Sequence, residues 1–294
     1  WIEEKSFGKI QAKNILHVKI KQLDMAFNDE DGFESLLKFL SKLENNTSVV
    51  VDAKLPHHLE ILASAIKVVS KEKRFLFRTA ASFINSLSAL PPNPKCTADL
   101  VSLKSKNNEY KYKPGLIIVG SHVKLATDQL KVLLIDNCCK GLEIPVSKLA
   151  NIFALEDRQQ AILEIEYTLL SKIDDILDLE KVPVLYTSRE EMKFSSYSER
   201  MTFGLELAEF MSILVRKITN KLGYIISKGG ITTQILLQKG LNFNHVNLKG
   251  QILPGLSIVT GDSDQYNLPV VTFPGNLGNE KTLLEVLKLM DSIA

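Results

Sequence analysis

Short apolar strands alternating with amphipathic helices predict an α/β fold, made of two α/β domains with mostly parallel sheets. Strand-like runs such as Leu16–Ile20, Ser48–Asp52 and Gly115–Gly120 each precede a segment of helical period. A proline-rich break, Pro91-Pro92-Asn93-Pro94, divides the chain. Its 294 residues suit about two domains of roughly 100–200 residues each.

Leu16-His17-Val18-Lys19-Ile20 carries apolar residues at a period of two, the pattern of a half-buried strand. Phe33, Leu36, Leu37, Leu40 and Leu43 then follow a helical period, with Asp29 and Asp31 as candidate N-caps. Ser48–Asp52 is a continuous apolar strand ending in a carboxylate. Pro56 suits the first position of the next helix, whose stripe is Leu59, Leu62, Ala63, Ile66 and Val69. Arg74–Arg78 reads as a third strand and Ala80–Leu90 as a third helix. The polar run as far as Pro114 reads as a linker, with Leu100, Val101 and Leu103 packing on a neighbour. The first domain with its linker is therefore expected over 1–112 and the second over 113–294.

In the second domain, strands are expected at Gly115–Gly120, Leu142–Val146, Val182–Tyr186 and Gly223–Ser227, Pro183 marking a strand start or edge. Helices are expected at Thr127–Cys139, with Gly141 as its C′ residue, and at Glu156–Asp178, Glu199–Lys221 and Glu280–Ile293. Short β segments follow Gly240 as far as Phe273.

Composition narrows the function. Hydrophobic residues make up 45% and charged residues 24%, an ordinary globular balance. Lys plus Arg number 36 against 34 Asp plus Glu, a net charge of +2, which supplies no broad field for nucleic acid or a membrane surface. Three cysteines, Cys96, Cys138 and Cys139, show no zinc-type spacing and suit a reduced, cytoplasmic protein. No run approaches the ~18 apolar residues of a membrane span. Trp1-Ile2-Glu3-Glu4-Lys5 has neither the basic nor the apolar region of a signal peptide.

Three glycine-bearing turns each follow an expected strand: Gly120-Ser121, Lys228-Gly229-Gly230-Ile231-Thr232-Thr233, and Pro274-Gly275-Asn276-Leu277-Gly278. Open parallel sheets bind ligands at the carboxyl ends of their strands, where glycine lets backbone approach a phosphate and a following helix presents unpaired N–H groups. Such turns also occur as plain strand–helix connections with Ser or Thr caps. Three in one domain favour a nucleotide or phosphate pocket. Neither the Walker A motif nor the dinucleotide fingerprint is present. His57 and His58 start a helix and suit surface or capping use better than metal binding. Asp174-Asp175-Ile176-Leu177-Asp178 matches an aspartate-rich magnesium motif, but on an amphipathic helix this spacing marks a solvated face. Asp52 and Arg78 both sit at strand ends; Arg78 with Thr79 and Ser82 suits a carboxylate or phosphate, and pairing of Arg78 with Asp52 explains it equally well.

Five motifs occur together and in order: Phe77-Arg78-Thr79-Ala80-Ala81-Ser82-Phe83, Val119-Gly120-Ser121 with Thr127 and Gln129 downstream, Ser227–Thr232, Ile252-Leu253-Pro254-Gly255, and Phe273–Gly278. As a set they resemble the four-carbon acid sugar kinase family, also called DUF1537 and Hrp-dependent outer-type proteins. The Lys-Gly-Gly-Ile-Thr form is closest to the branch of cyanobacteria and plant multidomain fusions. The resemblance covers nearly the whole chain. It implies a first domain that binds a small sugar acid of the threonate or erythronate kind, through residues such as Arg78 and Ser82, and a second that binds ATP with Mg²⁺. The implied ATP contacts are Ser121, Gly229, Gly230, Ile231, Thr232, Gly275 and Asn276; no catalytic residue and no protein metal ligand follows from it. It leaves a homo-oligomer open.

Two departures stand out. The family's Asp after the paired glycines is Ile231 here, and its Asp-Asp-x-Thr-Gly motif is absent from the 294 residues. The chain is accordingly expected to be a fragment lacking roughly the first third of the protein, with its first domain incomplete, and to be inactive alone. The alternative is a non-catalytic nucleotide- or ligand-binding regulatory module. RNA binding through Gly275–Gly278 as a G-x-x-G loop fits poorly with the neutral charge and with a strand before the turn.

Overall fold

The computed structural model describes residues 1–89, 97–189, 192–261 and 268–292. The chain divides into two compact units, Trp1–Pro92 and Asn93–Ala294.

In the first unit, α1 (Ile2–Lys5) precedes β1 (Leu16–Val18), α2 (Ile20–Asn28), α3 (Glu30–Ser41), β2 (Val49–Val51), α4 (Pro56–Val69) and α5 (Ala81–Ser88). β1 and β2 pair in parallel, Leu16 opposite Val49. Asp29 caps α3, its carboxylate accepting the Gly32 N–H at 2.5 Å, and Pro56 opens α4, where a missing N–H leaves no bond unmade. Val18, Leu23, Leu36, Leu40, Leu62, Ile66 and Phe83 form the core.

Arg74–Arg78 is not a strand. A strand needs a paired edge and a covered face, whereas Leu76 is fully exposed. The aromatics pack locally instead, Phe75 on Phe77 with ring centroids 6.1 Å apart and Phe77 against Phe83 at 5.4 Å.

The second unit contains α6 (Thr97–Val101), β3 (Gly115–Val119), α7 (Lys124–Ile135), β4 (Cys139–Ile144), α8 (Val146–Phe153), α9 (Gln159–Asp178), β5 (Val182–Thr187), α10 (Tyr197–Ile218), β6 (Tyr224–Lys228), α11 (Gly230–Ile235), β7 (Val246–Leu253), β8 (Leu256–Gly261), β9 (Val270–Phe273) and α12 (Thr282–Asp291). Its seven-stranded sheet has the order β4-β5-β3-β6-β9-β8-β7. The strands from β4 to β9 run parallel, and β8 and β7 add an antiparallel edge. β3 and β6 are buried at every residue and largely apolar, as strands covered on both faces are, with Ser227 and Lys228 at the carboxyl end of β6.

One face of the sheet is covered by α8, α9 and α10 through residues such as Leu149, Ile173 and Leu214. The other is covered by α6, α7 and α12 through Leu100, Leu133 and Leu287. Leu100 and Val101, in the run that reads as a linker, are thus core residues of this unit, at 1% and 2% exposure. Lys104 beside them is buried, its ammonium donating to the carbonyls of Met290 and Ser292.

Gly141 is not a helix C′ residue. It lies inside β4, and α7 ends at Ile135. A Cβ at Gly141 would stand 2.7 Å from Leu134 Cδ2, so this glycine serves close packing between helix and strand. The Pro-rich break, Cys96 and the ends of the helices expected at Leu90 and Ile293 lie outside the described residues. Among the described residues no helix is long and apolar enough to cross a membrane.

Candidate functional site

β5, β3, β6 and β9 are consecutive neighbours in the sheet and parallel, with Val119 opposite both Tyr186 and Lys228, and Lys228 opposite Phe273. Their carboxyl ends therefore open at one edge. β3 leads into α7, which packs on one face through Leu130 and Leu133. β6 leads into α11 and a π-helical turn to Gly240, which pack on the other face through Leu236. Chain direction thus diverges between β3 and β6. Such a switch point leaves a crevice at the strand ends, the usual ligand position in this kind of sheet.

The three glycine turns meet there. A Cβ on Gly120 would overlap Thr232 Oγ1, and one on Gly275 would stand 2.5 Å from Ser121 Oγ. Gly229 has φ +123° and backs onto Ser121, whose N lies 3.3 Å from a Cβ built there. Only glycine adopts that backbone readily. Ser121 is consequently touched by both of the other turns. Backbone bonds extend the sheet into the turns: the Gly120 N–H donates to Lys228 O at 3.2 Å and the Gly229 N–H to Phe273 O at 2.9 Å. Those two amides are occupied, while Gly230, Ile231 and Thr232 open α11, where N–H groups have no intrahelical acceptor. A Cβ on Gly230 would meet nothing within 4 Å.

Two helices fix these turns from behind. The Gln129 side chain, on α7, donates to Leu277 O at 3.1 Å and Asn279 O at 2.6 Å, tying the third turn to the helix that follows the first. Thr233 Oγ1 lies within hydrogen-bonding distance (3.1 Å or less) of Ser227 O, Ser227 Oγ and Gly229 O, closing the second turn on its own strand. Asn276 and Ile231 are exposed, Ile231 at 48%.

Two cations stand at the turns. Lys228 is fully buried, its ammonium donating to Pro274 O at 3.1 Å and lying 3.8 Å over the Phe273 ring. Burial lowers its pKa to about 8. On the other side of β3, Arg189 follows β5 and donates from Nη1 to Ser121 O at 2.5 Å. His122 bonds Thr187 Oγ1 through Nε2 at 2.9 Å. Burial, then the charges of Arg189 and Arg200, hold the His122 pKa below its usual value. Lys228 opens one of the three turns that the sequence singles out, whereas Arg189 has no motif around it. The signal was its position directly after a fourth parallel strand of the same sheet.

The first unit keeps the other sequence-predicted residues at a distance from one another in role. Ser82 lines an open groove of about 730 Å³ with Lys54, Leu55, Glu60 and Asn85. Arg78 is exposed and lies over the Trp1 ring, 4.2 Å from its centroid. The Arg78–Asp52 pair does not form; Asp52 instead meets His17 Nε2 at 2.8 Å. With no strand at 74–78, Arg78 does not stand at a strand end beside Asp52. His58 is a buried capping residue: Nδ1 accepts the N–H of Lys54 and of Leu55, and Nε2 meets Asp24 Oδ1 at 2.8 Å. Asp174 pairs with Lys221 at 2.6 Å on the solvent side of α9. Cys138 and Cys139 are free thiols, pushed up to about 12 and about 11 chiefly by burial.

The model of the family described as "nucleotide-binding C-terminal domain" matches residues 116–283, which spans β3 through the start of α12 and includes all three turns. No curated protein matches the chain. Among solved structures, a proposed tRNA synthase from Salmonella typhimurium LT2 is 14% identical with a TM-score of 0.54, over 92% of this chain and 59% of that one. That likeness concerns the fold. A DUF1537 protein from Bordetella bronchiseptica, a domain-swapped dimer with bound citrate, is 16% identical with a TM-score of 0.49, over 88% and 56% of the two chains. A DUF1537 protein from Haemophilus influenzae is 18% identical with a TM-score of 0.47, over 97% and 62%. The chain spans about three fifths of the length of these structures.

Proposed function

The chain belongs to the nucleotide-binding C-terminal domain family, and from that membership we propose that its second unit binds ATP at the crevice between β3 and β6. The observation that carries this reading is the meeting of three glycine turns at Ser121. In it, the phosphate chain accepts from the amides of Gly230, Ile231 and Thr232 and from the hydroxyls of Ser121 and Thr232. Gly275 and Asn276 close the third side, and Gly229 lets the backbone pass close beneath. Donors fixed before the ligand arrives need no reorganisation, which is how phosphoryl-transfer sites stabilise developing charge.

Within a whole protein, the resemblance to the four-carbon acid sugar kinases makes this unit the ATP half of a sugar-acid kinase. The transferred phosphorus exchanges its bond to the ADP oxygen for one to a sugar hydroxyl oxygen, the hydroxyl proton leaves, and ADP is released. Arg78 and Ser82 are the sugar-acid contacts of this reading, Arg78 for the carboxylate. Mg²⁺ supplies charge neutralisation between the phosphates. Around the turns this chain offers it the hydroxyls of Ser121 and Thr232, with Ile231 in the place of the family's acid. Among the described residues, the side chains that gather with metal-ligand geometry, Asp24, His57 and His58, are in the first unit. The free thiols of Cys138 and Cys139 suit a cytoplasmic setting.

Isothermal calorimetry with Mg·ATP and Mg·ADP tests the binding claim. Saturable binding that Gly230→Val weakens supports it; heats indistinguishable from dilution remove it. For the kinase claim, the whole protein is assayed for ADP release with a panel of four-carbon sugar acids. ATP binding with no turnover on any of them leaves the regulatory module, which the exposed Ile231 already favours at this one position.

A further inference from the structure

We propose that Arg189 is a clamp for the phosphate chain, held from the far side of the Ser121 turn; the inference rests on the nucleotide reading and adds to it a residue outside the three glycine turns. Arg189 leaves β5, the neighbour of β3 on the side away from β6. Its Nη1 is fixed on Ser121 O. Its Nε and Nη2 are buried and have no hydrogen-bond partner among the described residues. Among the described residues no carboxylate lies within ion-pair distance of it. The nearest influences are Tyr186 and Glu143, which act on it through space, and burial lowers its pKa from the usual guanidinium value.

A guanidinium with two buried, orphaned nitrogens is costly unless something anionic completes it. The free nitrogens form part of a planar fork, which matches two oxygens of one phosphate. Lys228 stands on the opposite flank of the same turn, at the end of β6, fully buried and with no carboxylate partner among the described residues. The sheet order β5-β3-β6 therefore puts one cation on each side of Ser121. Two fixed cations across a single turn suit a ligand with several adjacent negative charges, a nucleoside di- or triphosphate, better than a monophosphate.

The test uses Arg189→Met, which keeps the apolar stem, and Arg189→Lys, which keeps the charge but loses the fork. Each is titrated by calorimetry with Mg·ATP, AMP and inorganic tripolyphosphate, and its unfolding temperature is measured. The expected result is that Arg189→Met weakens ATP and tripolyphosphate by about 10- to 100-fold, the range for a lost hydrogen bond to a charged group. AMP changes by less than about threefold in the same range of effects, and Arg189→Lys falls between. The unfolding temperature of the ligand-free protein stays level or rises, because an incompletely paired buried charge has been removed. An equal loss for ATP and AMP, or a marked fall in unfolding temperature, makes Arg189 a structural support and overturns the clamp. Unchanged ATP affinity overturns it as well. Should the unaltered protein bind tripolyphosphate but not ATP, the nucleotide reading fails while the anion clamp stands; binding of neither refutes both.

Discussion

Gly230→Val separates the fold from the site more cleanly than any other substitution at the turns. Gly230 is exposed at the start of α11, and a Cβ built there meets nothing within 4 Å. Its φ lies outside the range that disfavours side chains, since it is absent from the positive-φ glycines. Replacing a helical glycine removes a penalty of roughly 0.5–1 kcal/mol, which the χ1 restriction of valine partly offsets. The unfolding temperature should accordingly move by no more than about 2–4 °C for a unit of this size. The new methyl groups, however, stand where a phosphate must come to reach the Gly230 and Ile231 amides. Losing one hydrogen bond to a charged group costs about 1.5–3 kcal/mol, or about 10- to 150-fold in affinity for Mg·ATP. Calorimetry reads the affinity and differential scanning calorimetry the stability. An unfolded variant would refute the claim that Gly230 faces open space, and a folded variant with undiminished ATP affinity would refute its place at the phosphates.

Gly120→Ala should behave in the opposite way: its Cβ overlaps Thr232 Oγ1, so overpacking of about 1–3 kcal/mol should appear as a lower unfolding temperature together with weaker ATP binding. Lys228, with a pKa lowered to about 8 by burial, gives a pH signature. A bound polyphosphate favours the ammonium, so ATP affinity should fall as pH rises through 8, and Lys228→Met should flatten that profile. Ligand-free stability should move the other way. Between about 8 and the unfolded value of 10.5 the unfolded chain holds more protons, so stability due to this group rises with pH. Ile231→Asp, at an exposed position, should leave the unfolding temperature nearly unchanged and increase the Mg²⁺ dependence of nucleotide binding; an unaltered Mg²⁺ titration would show that the position does not face the metal.

The strands that build the crevice were legible because β3 and β6 are buried on both sides, which favours continuous apolar runs such as Gly115–Val119 and Tyr224–Ile226. Their turns were legible because glycine at those points is forced by contact, as Gly120 against Thr232 shows. Convergence of the turns was harder to read. It depends on β9 pairing with β6 across the excursion through β7 and β8, and no local pattern encodes that pairing. Arg74–Arg78 shows the reverse failure: a short continuous apolar run announces a strand, but pairing decides it, and Leu76 remains in solvent. Gly141 was misread because a glycine after a helix suggests a cap equally well as a tight strand crossing, and only the position of Leu134 distinguishes them. Arg189 carried no motif at all; its significance comes from nitrogens left without partners, a property of the packed structure alone.

The most direct measurement is a crystal structure of the chain with Mg²⁺ and a non-hydrolysable ATP analogue. The phosphate chain should lie at the carboxyl edge between β3 and β6, within hydrogen-bonding distance of Ser121, the Gly230 amide and the Arg189 guanidinium. Nucleotide density at another face of the sheet, with the three turns left bare, would contradict the account.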